Sequence, residues 1–134
     1  MLFLPDTNVW IHHLNETSSI VQTRLAAHSP SQIMMCDVVK AELYYGAFKS
    51  ARRDANLAVL EILFSGFSSF SFDGKAAKIS GEIRADLARK GTIIGPYDLQ
   101  IAAIALANDC VLVSHNTGEF SRITGLKLED WEAA

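Results

Sequence analysis

Leu2-Phe3-Leu4-Pro5-Asp6-Thr7-Asn8 is the stretch on which the fold turns. A short apolar run ending at Asp-Thr-Asn reads as a buried strand that stops at a helix N-cap, since such side chains accept the free N–H groups of a first helical turn. The punctuation recurs downstream. Gln32-Ile33-Met34-Met35-Cys36 is a second buried run with Asp37 at the cap position, and Cys110-Val111-Leu112-Val113-Ser114 is a further strand. Phe70-Ser71-Phe72 alternates as a strand does, and Leu126-Lys127-Leu128 makes a last short one.

Between these runs the spacing is helical. Val9 to Leu14 forms a short helix and Ile20 to His28 another, with Val21 and Leu25 facing inward before the turn Ser29-Pro30-Ser31. Val38 to about Arg53 is helical, and Asp54 caps a helix whose apolar side includes Leu57, Leu60 and Phe64. Ala76, Ile79, Ile83 and Leu87 mark one face of a helix that stops before Gly91, a residue suited to the C′ position. After Gly95-Pro96, the segment from Tyr97 to Asn108 is nearly all apolar apart from Asp98 and Gln100. Short buried strands alternating with helices imply a parallel sheet covered on both faces. The expected class is α/β: one three-layer α/β/α domain over residues 1–134, with a central, mainly parallel sheet flanked by helices.

Composition narrows the function. A chain of 134 residues with 49% hydrophobic and 20% charged residues is globular. A net charge of −3 excludes a basic nucleic-acid coat protein. Cys36 and Cys110 lie far apart in apolar runs, which is neither a disulfide framework nor a zinc motif and suits a reducing cytoplasm. No basic n-region or membrane-length apolar run is present, so neither secretion nor a membrane partner is expected. Within this acidic chain one segment is basic: residues 74–92 carry Lys75, Lys78, Arg84, Arg89 and Lys90 against Glu82 and Asp86. A solvated helix face accounts for such a run equally well.

In open α/β sheets ligands bind beyond the carboxyl ends of the strands. Asp6 follows the first strand, Glu42 lies a turn inside the helix after the second, Asp98 heads its own helix, and Glu119 follows the strand at 111–113. Each has a plain alternative, capping for Asp6 and Asp98 and a surface position for Glu42 and Glu119. Glu42 and Asp98, however, sit among core-forming residues, and a buried carboxylate without a partner costs several kcal/mol. No Lys/Arg run lies beside them, and His or Cys ligands are missing from the same motifs. The economical shared partner is a hard divalent cation, Mg²⁺ or Mn²⁺.

These motifs also carry a resemblance. Leu4-Pro5-Asp6-Thr7-Asn8-Val9, Ala41-Glu42-Leu43 with Gly46-Ala47, Ile94 to Ala102 around Tyr97-Asp98, Leu112-Val113-Ser114-His115-Asn116 with Glu119-Phe120, and Leu128-Glu129-Asp130-Trp131 occur in the order and spacing of the PIN-domain family. Together they resemble the VapC-type toxins of bacterial toxin–antitoxin pairs. The resemblance implies a Mg²⁺- or Mn²⁺-dependent endoribonuclease acting on structured RNA such as transfer RNA. A VapB-type antitoxin would neutralise it, within a homodimer and a toxin–antitoxin hetero-oligomer. Asp6, Glu42 and Asp98 match the family's regular acidic positions and Glu119 its more variable fourth. Asn8, Ser114 and Asn116 match its supporting polar positions. Pro5 departs from the pattern, which usually has an aliphatic residue there, and could shift Asp6.

Arg84, Arg89 and Lys90 lead into the Asp98 motif and are expected to contact RNA phosphates. The aromatic-rich stretch of Tyr44, Tyr45, Phe48, Phe64 and Phe67 exceeds what one small core buries and suits a dimer face or an antitoxin groove. Trp10 and Trp131 are expected in the core; His115 invites a general-base role, but it lies in a turn and the cation already supplies hydroxide. Two other functions fit the same layout. One is a non-catalytic RNA-binding module. The other is phosphoryl transfer to Asp6, which lacks the second Asp (Asn8 stands there) or the late-strand lysine such domains use.

Overall fold

The computed structural model describes residues 1–15 and 19–133. Its strands are short: β1 (Phe3–Pro5), β2 (Met35–Cys36), β3 (Ser69–Phe70), β4 (Val111–Val113) and β5 (Leu128–Glu129). β4 pairs in parallel with both β1 and β5, and β2 pairs in parallel with β3. A parallel bridge between Phe3 and Ile33, with the Met34 N–H donating to the Phe3 carbonyl at 2.8 Å, joins the two groups. The spatial order is therefore β3-β2-β1-β4-β5. Successive side chains of a strand point to opposite faces, yet all three residues of β1 and of β4 are buried, so the sheet is covered on both sides.

Pro5 lies in this central strand without breaking it. Val111 N–H donates to the Leu2 carbonyl and Asp6 N–H to the Val113 carbonyl at 2.9 Å, so the even-numbered groups of β1 face β4. The N–H that Pro5 lacks falls on the β2 side, past the Phe3–Ile33 bridge, and costs the β1–β4 ladder nothing.

Among the described residues seven α-helices flank the sheet: α1 (Thr7–Asn15), α2 (Ile20–Ala26), α3 (Asp37–Lys49), α4 (Arg53–Ser65), α5 (Gly74–Arg89), α6 (Pro96–Ala107) and α7 (Thr117–Phe120). α5 ends as a Schellman turn: Gly91 takes φ +67°, its N–H donates to Ala88, and the Thr92 N–H donates to Leu87. Beyond Gln100, α6 is apolar all round because it lies in the core, with Ile101 to Ala105 fully buried. Trp10, Trp131 and Phe120 are buried as well. Burial of a side chain the size of Phe120 stabilises by roughly 2–3 kcal/mol.

Several boundaries depart from the sequence reading. The helix expected to reach Arg53 ends at Lys49, where Ser50 turns extended and its hydroxyl donates to the Ala47 carbonyl at 2.9 Å while accepting from Asn56 Nδ2. Arg52, not Asp54, holds the cap position of α4. Residues 30–32 wind into a 3-10 turn, which shortens the second strand to Met35–Cys36, and the third is Ser69–Phe70 rather than 70–72. After β4 the chain adds a single helical turn, α7, that the apolar spacing does not mark. Among the described residues no helix is long and apolar enough to cross a membrane.

Candidate active site

The carboxyl ends of β1 and β4 and the first turns of the helices bring the four acidic positions to one edge. Asp6 follows β1 directly and is 4% exposed. Its Oδ1 accepts the Val9 N–H at 3.0 Å, which makes it an N-terminal cap of α1. The Ser114 hydroxyl and Val9 N–H favour its charged form, but burial outweighs both and lifts its pKa above the usual 3.8, with Glu132 and Glu42 adding to the rise.

Glu42 stands half-buried in the second turn of α3. Its Oε1 accepts the Thr7 hydroxyl at 2.6 Å, a link across 35 positions of sequence. Thr7 is itself buried, and it escapes the sequence reading because its neighbours Asp6 and Asn8 look more chemical. The cue was its place beside a capping Asp at the sheet edge.

Asp98 lies in the first turn of α6, behind Pro96 at N1. A helix N-terminus favours a carboxylate by less than about 1 kcal/mol at a surface. Here the opposing effects win. Burial, then the fields of Asp6, Glu42 and Glu119, push Asp98 up to about 6. That response to all three acids places the four carboxylates in one electrostatic neighbourhood. Glu119, in α7, accepts from Asn116 Nδ2 at 3.1 Å, and the Asn116 N–H donates to the buried Ser114 Oγ at 2.9 Å. Asn8 is exposed on the wall of a 480 Å³ cavity it shares with Asp6, His12, His115, Asn116 and Glu132.

Among the described residues no Lys or Arg pairs with any of the four carboxylates. An all-oxygen, anionic and partly desolvated donor set of this kind fits a hard divalent cation. The four acids are spread more widely than His115, Asp130 and Glu132, whose nearest side-chain N and O atoms all lie within 4.8 Å of one another. Arg89 and Lys90 are held by Asp86 at 3.7 and 3.0 Å on α5, while Arg84 lines a groove with Phe72, Ile93 and Gln100. A second groove, of 360 Å³, runs from Glu42 along Ile11, Leu14, Val59 and Leu60, beside the exposed Tyr45 and Phe48.

Comparison with known proteins identifies the family. Residues 3–126 match the PIN domain family. A Salmonella typhimurium protein named tRNA(fMet)-specific endonuclease VapC is 40% identical over 129 residues, covering 96% of this chain and 97% of the relative. Ribonuclease VapC2 of Rickettsia felis is 35% identical over 133 residues, covering 98% and 99%. Among solved structures, the DNA-bound VapBC complex from Salmonella typhimurium superposes with a TM-score of 0.91 at 39% identity, over 98% of this chain and 99% of the matched one.

Proposed function

The chain belongs to the PIN-domain family, and from that premise we propose that it is a VapC-type endoribonuclease toxin whose Asp6, Glu42, Asp98 and Glu119 hold Mg²⁺ or Mn²⁺ and cut structured RNA. The observation that carries the reading is the gathering of four carboxylates, Asp98 lifted to about 6 by burial and then by the other three, with no Lys or Arg paired to them among the described residues. A bound divalent cation supplies water activation and charge stabilisation at the phosphodiester.

The chain's own part is positioning. Val9 N–H and Ser114 fix Asp6, Thr7 fixes Glu42, and Asn116 fixes Glu119. Such outer contacts hold carboxylates in the orientation a cation needs. Asn8 and Asn116, on the cavity wall, offer hydrogen bonds to the RNA backbone. Arg84, Arg89 and Lys90 form an outlying basic rim on α5 for phosphates further along the RNA.

The relatives' names point to transfer RNA, and initiator transfer RNA is the first substrate to try. The apolar groove that begins at Glu42 supports a VapB-type antitoxin as partner, since an occupant there would cover a cation-holding residue. The exposed Tyr45, Phe48 and Ile62 supply further apolar surface for a homodimer or a toxin–antitoxin hetero-oligomer. Two buried free thiols suit a cytoplasmic setting.

The test is incubation of purified, antitoxin-free protein with end-labelled initiator transfer RNA and with total RNA. Mg²⁺ or Mn²⁺ should give discrete fragments ending in 5′-phosphate and 3′-hydroxyl, lost with EDTA and in Asp6→Asn. RNA that binds but stays intact with either cation would replace this reading with a non-catalytic module.

A further inference from the structure

We propose that His115 is the general acid of the cleavage, giving its Nε2 proton to the 3′ oxygen that leaves, with Asp130 as the residue that orients its ring. The proposal rests on the ribonuclease reading above and adds a residue to it. In-line hydrolysis that yields a 3′-hydroxyl must put a proton on the departing oxygen, and the four carboxylates are committed to holding a cation.

Strand register brings the pair together. β4 and β5 run in parallel with Val113 opposite Glu129, and the Ser114 N–H donates to the Glu129 carbonyl at 2.9 Å. The two chains leave the sheet side by side, and His115 Nδ1 meets Asp130 Oδ2 at 3.0 Å and Oδ1 at 3.3 Å. Asp130 is itself held, because the Glu132 N–H donates to its Oδ1 at 2.9 Å. Between them Trp131 is buried, stacked on His28 at 5.2 Å with its Nε1–H donating to Glu129. The C-terminal segment is thus anchored by one indole and presents a carboxylate on each side of it.

With Nδ1 committed to Asp130, Nε2 is the ring atom left for a substrate. His115 lines the same cavity as Asp6, Asn8 and Asn116, so a phosphodiester drawn to Asp6 passes within its surroundings. The charged groups around it are of one sign, save His12 across the cavity, which lies 3.5 Å from Glu132. The Asp130 hydrogen bond and charge, then Glu132 and Asp6, lift His115 above its usual 6.5 against a small opposing cost of burial. The ring therefore holds its proton to higher pH than a free imidazole does. Nearness of Nδ1 to both oxygens of the Asp130 carboxylate marks an oriented His–Asp dyad of the kind acid catalysis uses.

The proton and electron count closes. Water oxygen forms the new bond to phosphorus and its surplus proton leaves to solvent. The bond from phosphorus to the 3′ oxygen breaks with its electron pair on that oxygen, and the Nε2 proton joins it. The neutral imidazole then takes a proton from water. General acids of this kind contribute about 10²–10⁴-fold.

The experiment compares wild type, His115→Gln and Asp130→Asn on the transfer RNA, and on the same RNA carrying one 3′-bridging sulfur at the mapped cleavage site. A thiolate leaves without a proton. His115→Gln should lose roughly 10²-fold or more on the oxygen linkage and recover most of it on the sulfur linkage. Asp130→Asn should lower the His115 midpoint in an NMR titration and move the alkaline limb of the pH–rate profile down with it. Equal loss on both linkages, or no loss on either, would overturn the role of His115. Wild type that cuts neither RNA would instead remove the ribonuclease reading, and this inference with it.

Discussion

At Asp98 a surface preference and a burial cost pull in opposite directions, and the direction of the outcome can be tested. The folded protein holds the Asp98 proton up to about 6, against 3.8 for the free side chain. The folded state binds that proton more tightly than the unfolded one. Its contribution is therefore fully present below the unfolded value and is lost as pH rises through about 6. Cation-free Asp98→Asn should then be more stable than wild type near neutral pH, by about 1 kcal/mol once the screening of a half-exposed group is allowed for. The gap should close toward pH 4, and urea melts across that range would show it; parallel curves would contradict it. Thr7→Val removes the only hydroxyl on Glu42 among the described contacts. Cation affinity should fall by about 10-fold or more with little change in stability, as read by Mn²⁺ titration calorimetry. Spacing could mark Asp6, Asp98 and Glu119, because each follows a strand or lies in the first turn of a helix, and Glu42, one turn inside the helix after β2. The Thr7 contact was illegible, since nothing local ties residue 7 to residue 42.

At the level of elements, what seats Asp98 is the turn from α5 into α6. Gly91 takes φ +67°, and a Cβ there would meet no atom within 4 Å, so its conformation and not crowding demands glycine. Gly91→Ala should cost about 1–2 kcal/mol from the left-handed backbone, seen as a lower urea midpoint with an unchanged slope. A midpoint equal to wild type would mean that the turn is not held. Gly91 was readable as a helix stop, and α6 as a buried helix headed by Asp98, because both rest on local chemistry. The break between α3 and α4 was readable but placed at Asp54 instead of Ser50, for Ser50 carries no strong turn signature and does its work through Ala47 and Asn56. α7 is one turn long, too short for any periodicity to register. Phe120 secures it from beneath, and that is a tertiary contact.

For the whole molecule, a parallel sheet of very short strands places its catalytic candidates at one edge and leaves the helices to supply the core. The α/β class was legible from the alternation of apolar runs and helical stretches. Strand order was not, since two- and three-residue strands carry no partner information. The β3-β2-β1-β4-β5 order rests instead on pairings such as Met34 to Phe3 and Leu112 to Leu128. A fold that gathers repelling carboxylates should gain stability from the ion that separates their charges, and this is the central claim. Cation present at about 100 times its dissociation constant stabilises a protein by about 2.7 kcal/mol. The decisive measurement is thermal unfolding of wild type and Asp98→Asn, each with Mn²⁺ and with EDTA, near neutral pH. The account predicts that Mn²⁺ raises the wild-type midpoint clearly and the variant's little, with the variant the more stable of the two in EDTA. Equal midpoints for wild type with and without Mn²⁺ would contradict it.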